Sequence, residues 1–132
     1  MSELSEAFLS KAQESLDGAA SEFSNGRYNN CANRCYYACF QAAVAALDLA
    51  GIHPTEGKAQ WSHEFVQCQF AGRLINRRKL YPSALRDTLT EAYGLREQAD
   101  YTRTRVSQRQ ASRVLNKAGA MLEAIANLGD IT

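Results

Sequence analysis

Arg96, Asp100, Tyr101, Arg103 and Arg105 gather chemistry capable of holding an anion into one short stretch. A guanidinium gives paired N–H bonds to a phosphate, and a phenol ring stacks on a base or offers its hydroxyl. The group therefore reads as a set of ligand- or phosphate-contacting residues. A plainer account stands beside it. Asp100 follows Arg96 by four residues, the spacing of an intrahelical ion pair, which leaves Arg103 and Arg105 as solvated loop charges. Arg73, Arg77 and Arg78, followed by Lys79, form a second basic edge at a predicted helix end, where cations also favour the helix dipole.

Other reactive residue types point less clearly to chemistry. Cys31, Cys35 and Cys39 recur every four residues, and Cys68 stands apart. Thiols stacked at that spacing on one helix face do not wrap a tetrahedral metal, and the C-x-x-C loops that do so are absent. They read as reduced core residues. The two histidines are His53, in a predicted loop, and His63, near a helix start, where a capping or packing role is expected. No catalytic set, no metal site and no cofactor is predicted.

These residues must be positioned by a chain of 132 residues, enough for one domain (1–132) with a core of its own. The formal net charge of +1 hides an uneven distribution. Residues 1–25 carry five acids against Lys11, whereas residues 73–117 carry nine arginines and two lysines against four acids. Such a chain can hold an anionic partner at its basic part. It has no apolar run of the roughly 18 residues a membrane helix requires. Its acidic start, Met1-Ser-Glu-Leu-Ser-Glu, lacks the basic and apolar regions of a secretory signal. The expected location is the cytoplasm, with no membrane association.

Periodicity predicts an all-α, antiparallel up-and-down bundle of four to five helices. The first covers about Glu3 to Phe23 and ends at Asn25-Gly26. The second, about Tyr28 to Ala50, is small or apolar on nearly every side, so other helices must surround it, and Gly51 stops it. Arg34 is the exception on this helix, and Asp100 or Glu97 is its expected partner. A loop, His53–Gly57, leads to a third helix from about Ser62 to Arg77. Pro82 is expected to open a fourth helix running to about Asp100. Ser107-Gln-Arg-Gln110 is a capping box opening a fifth, which Gly129 closes after about Ala126.

Several of these stretches also resemble a known family. Gly26-Arg27-Tyr28, then Tyr36-Tyr37-Ala38-x-Phe40-x-Ala42-Ala43, resembles the HEPN family of small helical bundles. His63-x-x-Val66-x-x-x-Phe70 is similar to its third-helix signature His-Ser-Gly-Val and Phe, with Glu64-Phe65 in place of Ser-Gly. Arg96-Glu-Gln-Ala99-Asp100-Tyr101 matches the Arg-x-x-Ala-Asp-Tyr wording of one subgroup, and Val106-Ser107 with Ala111, Leu115 and Ala118 resembles its last helix. The resemblance implies a homodimer that binds a nucleotide, RNA or a small nucleotidyltransferase partner, often within a toxin–antitoxin pair. Some members are metal-independent ribonucleases using Arg-x(4–6)-His, where arginine binds phosphate and histidine exchanges the 2′-hydroxyl proton. Here positions 101 to 103 read Tyr, Thr and Arg. The expectation is thus a binding component that is not itself catalytic. A ribonuclease toxin is the first alternative and a purely structural interaction module the second.

Overall fold

The computed structural model describes residues 1–55 and 60–131. Glu56 and Gly57 of the expected loop lie outside the described residues. The elements are α1 (Glu3–Ser24), α2 (Tyr28–Leu49), α3 (His63–Gln69), α4 (Thr88–Tyr101) and α5 (Gln108–Ile131), and no strand occurs among the described residues. The predicted all-α bundle is what forms.

The first turn works as glycine chemistry requires. Gly26 sits at φ 74°, and the Arg27 N–H reaches back to the Glu22 carbonyl at 2.9 Å, closing α1. α2 then returns through the middle of the bundle. Twelve of its residues are buried, from Cys31 to Leu47, and the six from Ala42 to Leu47 are buried without a break, on every side of the helix. Phe70, Leu74, Leu89, Met121 and Ile125 from the surrounding elements are fully buried around it. Each such side chain contributes about 1.5–3 kcal/mol by leaving water. Cys31, Cys35 and Cys39 are buried free thiols, as expected. Gly51, at φ 77°, ends α2, and the Ile52 N–H bonds the Leu47 carbonyl at 2.8 Å.

The four long helices alternate in direction. α1 begins where α2 ends, the Ser2 hydroxyl meeting the Asp48 carboxylate. α4 reaches the upper part of α2 through Asp100 and Asn33, and α5 starts there because the Val106 N–H donates to Asn29 Oδ1 at 2.8 Å. α3 differs. It begins beside Tyr36, and its continuation ends beside Ala50, so it runs alongside α2 in the same direction.

Three expectations need correction. The third helical run changes period: Phe70–Arg77 is π-helical. The wider turn puts Phe70 and Ile75, five residues apart, together in the core beside Leu74. Pro82 opens only a 3-10 turn, Ser83–Leu85, and α4 starts later at Thr88. The Arg86 carbonyl accepts from Gln67 Nε2 at 3.2 Å, which turns it away from a continuous helical ladder. Gly129 does not close α5, which continues to Ile131. It lies where the Met1 side chain crosses, 2.6 Å from where a Cβ would stand. The capping box does form, with Ser107 N to Gln110 Oε1 at 3.0 Å and Gln110 N to Ser107 Oγ at 3.1 Å.

Candidate functional site

Arg96 lies on the side of α4 that faces α2. Tyr36 and Tyr37 come from α2, Tyr93 from the preceding turn of α4, and Tyr101 from its last residue. The guanidinium carbon lies 5.0 Å from the Tyr36 ring centroid, 5.7 Å from Tyr93, and 5.8 Å from both Tyr37 and Tyr101. Four aromatic faces or edges thus frame one cation. Burial works against that charge, but the Tyr101 hydroxyl and the neighbouring phenols outweigh it, and Arg96 holds its proton more firmly than usual.

The expected Arg96–Asp100 pair is present but loose. Nε stands 3.5 Å from Asp100 Oδ2, beyond ordinary hydrogen-bond length, and this Nε is buried with no hydrogen-bond acceptor among the described residues. Asp100 Oδ2 accepts instead from Asn33 Nδ2 at 2.8 Å. Arg34 does not reach Asp100 or Glu97, contrary to expectation. Its Nε and Nη2 donate to Asn33 Oδ1 at 3.2 and 2.8 Å, so Asn33, one residue closer on the helix face, stands between them. The Arg34 guanidinium lies 5.0 Å from the Tyr37 ring, and Tyr37 therefore has a cation from each of two helices.

His63 completes the cluster. The Ser62 hydroxyl accepts from the Phe65 N–H at 3.1 Å, capping α3 and placing His63 as its first residue. The imidazole stacks on Tyr93 at 4.0 Å between centroids, and its Nδ1 lies 3.3 Å from the Tyr36 hydroxyl. Burial lowers its pKa, nearby Glu64 opposes that, and the Arg96 charge lowers it further. Burial of Tyr36 pushes its phenol up to about 12 although Arg96 pulls the other way, so it keeps its proton at neutral pH. Tyr93 is also shifted upward, first by its bond with Glu97.

Of the residues singled out by sequence, Arg96, Asp100 and Tyr101 therefore meet, with Tyr101 69 % exposed at the rim. Arg103 and Arg105 do not join the rings. Both are exposed on the connection to α5. Arg105 borders a separate groove of about 350 Å³ with Arg27, Asn29 and Asn30. Arg73 lies midway along the π-helical run, and Arg77 and Arg78 stand at its far end. Arg73 Nη1 is 3.4 Å from Gln69 Oε1, and Arg78 Nη1 donates to the Ala50 carbonyl at 3.2 Å. Fourteen residues of helix separate Tyr36 from Ala50, about 20 Å. Sequence reasoning missed His63, Asn33 and the two tyrosines of α2 as members. The available signal was two adjacent phenols, Tyr36 and Tyr37, on a helix of alanine and cysteine, since buried hydroxyls demand partners.

With this geometry in place, comparison with known proteins decides the lineage. The profile of the HEPN domain matches residues 5–128. The chain belongs to the HEPN family. Two proteins of Methanocaldococcus jannaschii resemble it along most of their length. "Putative toxin MJ0605" is 28 % identical over 120 residues, covering 91 % of this chain and 84 % of that protein. "Putative toxin MJ0142" is 28 % identical over 118 residues, covering 89 % and 76 %. In this HEPN domain the histidine near the arginine comes from α3 rather than from the residues following Arg96. Among the described residues no three His, Cys, Asp or Glu side chains gather as metal ligands, and no helix is long and apolar enough to cross a membrane.

Proposed function

We propose that this HEPN domain is the toxin-type component of a two-protein system and takes single-stranded RNA, or the phosphates of a nucleotide, at the Arg96 site. The observation that carries this reading is the setting of Arg96. Its charge is desolvated by tyrosine rings, while the carboxylate of Asp100 stands off at 3.5 Å. A guanidinium so placed has donors to spare, and an incoming phosphate satisfies them in a site where the charge is poorly screened. Arg34, across the Tyr37 ring, adds a second cation, and exposed Tyr101 offers a stacking face for a base. Similarity to the two archaeal proteins supports the toxin reading.

The partners implied by the family resemblance belong to the same proposal. The domain forms a homodimer, using half-buried Tyr37 and Phe40 on α2, and associates with a small nucleotidyltransferase in the cytoplasm. Arg103 and Arg105 extend the anion-contacting surface beyond the rings.

Fluorescence anisotropy with a labelled single-stranded RNA tests the site. Affinity is expected to fall as salt rises from about 50 to 200 mM, because neutralised phosphates release counterions. Arg96→Ala is expected to remove most of the binding while the far-ultraviolet circular dichroism stays unchanged. Equal affinity for Arg96→Ala and wild type overturns the reading and leaves a purely structural interaction module.

A further inference from the structure

A groove of about 300 Å³ runs between α4 and α5, on another side of α4 from Arg96. Two polar ties bound it. At one end Gln98 Nε2 donates to Gln110 Oε1 at 3.2 Å, and at the other the Lys117 ammonium meets the Glu91 carboxylate. The ties stand two helical turns apart on both helices, about 10 Å. Between them the floor is apolar, made by half-buried Leu95 and buried Val114. Gly94 opens the α4 wall. Glycine weakens the middle of a helix, and no neighbouring element comes within 4 Å of where its Cβ would stand, so the fold itself does not require one there.

The α5 wall is cationic. Arg113 lines the groove, and Arg109 stands one turn earlier on the same edge. Both are exposed, and neither has an ion pair among the described residues. An apolar floor beside unpaired guanidinium groups, with a carboxylate at one end, suits a protein segment better than a phosphate chain. Such a segment brings an aliphatic side chain to the floor and carboxylates to the wall.

The chain itself carries a segment of that kind. The outer face of α1 exposes Glu3, Glu6 and Glu14, none of them ion-paired among the described residues, with Lys11 as the cation on that face. Leu4 is 38 % exposed among these acids, and exposed Ala7 lies one turn beyond it. α1 already packs on α2 and α5, and Ser2 ties its start to Asp48, so this face is open only to another molecule.

We propose that the acidic outer face of α1 in one copy docks into the α4–α5 groove of a second, with Leu4 on Leu95 and Val114 and with Glu3 and Glu6 facing Arg109 and Arg113. The two surfaces differ, so the association runs head to tail and builds rings or chains of copies. It is separate from the α2 dimer proposed above and does not depend on RNA binding at Arg96. Opposite charges on the two halves of one nearly neutral chain thereby become the means of self-assembly.

Sedimentation velocity on the full chain, over a concentration series in low and high salt, tests this. Wild type is expected to form species larger than a dimer at about 50 mM salt and to lose them at about 500 mM, where surface charges are screened. Arg109→Glu with Arg113→Glu is expected to weaken this association at least about tenfold, and so is Glu3→Lys with Glu6→Lys. Leu4→Ser is expected to act in the same direction without altering the circular dichroism. The deciding sample is an equal mixture of the two charge-reversed proteins. Each repels itself, but the acidic groove of one accepts the basic helix of the other, so the large species are expected to return only on mixing. Their return also shows that both variants are folded. Wild type that never exceeds a dimer overturns the proposal, as does a mixture that stays dissociated. So does unchanged assembly of Arg109→Glu with Arg113→Glu, and weakened RNA binding in that protein would then assign the groove to nucleic acid.

Discussion

Arg96 and the arginines at the end of the third helical run carry the same charge in opposite settings. Arg73 and Arg78 bond an amide and a backbone carbonyl of their own fold, and Arg77 is exposed to water. Their neighbourhood answers the needs of helix ends: Arg78 meets the Ala50 carbonyl at the C-terminus of α2, where positive charge is favourable. Arg96 is enclosed by phenols, its carboxylate is drawn off by Asn33, and a titratable imidazole shares its rings. Counting charges along the sequence cannot separate the two groups. What separates them is how far each guanidinium is satisfied by the protein itself.

The strongest way to break this comparison is to exchange one group at a time. Arg96→Ala should weaken RNA binding by about 10- to 100-fold, the loss of a charged hydrogen-bonded contact of about 1.5–3 kcal/mol. Comparable losses from Arg77→Ala with Arg78→Ala would show that the far edge, not the ring cluster, holds the ligand. Arg96→Lys sharpens the result further. A point charge without the planar fork should recover only part of the affinity, because the rings and the phosphate both match a flat, delocalised cation.

Next come the rings, which differ from one another. Tyr101 is the exposed rim and should act through the ligand. Tyr101→Ala is expected to cost about 1 kcal/mol of RNA affinity, roughly fivefold, and almost nothing in stability. Tyr36 is buried and should act through the fold. Tyr36→Phe removes the hydroxyl beside His63 and is expected to lower unfolding stability by about 1 kcal/mol in urea titrations. A reversed pattern, with Tyr36→Phe leaving stability intact and Tyr101→Ala unfolding the chain, would contradict the assignment of inside and rim.

Much of this molecule was legible in its sequence, and the illegible part has a physical pattern. Whatever depends on neighbours along the chain was readable. The glycine stops at Gly26 and Gly51, the capping box of Ser107 and Gln110, and the apolar surround of α2 all follow from local rules. Half of the candidate site was readable for the same reason, since Arg96, Asp100 and Tyr101 share the end of one helix. His63 was not readable, because 33 positions of sequence separate it from Arg96 and only the packing of α3 against α2 and α4 brings it there. Arg34 failed in a related way. A carboxylate on the neighbouring helix was the sensible partner, but the Asn33 amide lies closer and bonds both. The π-helical turn failed because spacings of four and five are both apolar in Phe70, Leu74 and Ile75, and only the core decides between them.

At the basic edge the contrast can be sharpened by a substitution of small effect. Arg78→Ala should cost only about 0.3–1 kcal/mol of stability, the worth of a cation at a helix C-terminus, with RNA affinity unchanged. Lys79 then distinguishes the two accounts by sign. Its φ of 52° is left-handed, and the Leu80 N–H bonds the Leu74 carbonyl at 2.8 Å, so Lys79 occupies the position a glycine normally takes at a helix end. A side chain there costs about 1–2 kcal/mol, and glycine returns about 0.4–1 kcal/mol of that through its freer unfolded chain. Lys79→Gly is therefore expected to raise unfolding stability by several tenths of a kcal/mol. If the edge holds phosphate, the same change removes a cation and must weaken RNA binding, with a shallower salt dependence. A more stable protein with unaltered RNA affinity would mark this end as helix termination, and leave the cation among the tyrosines as the ligand's contact.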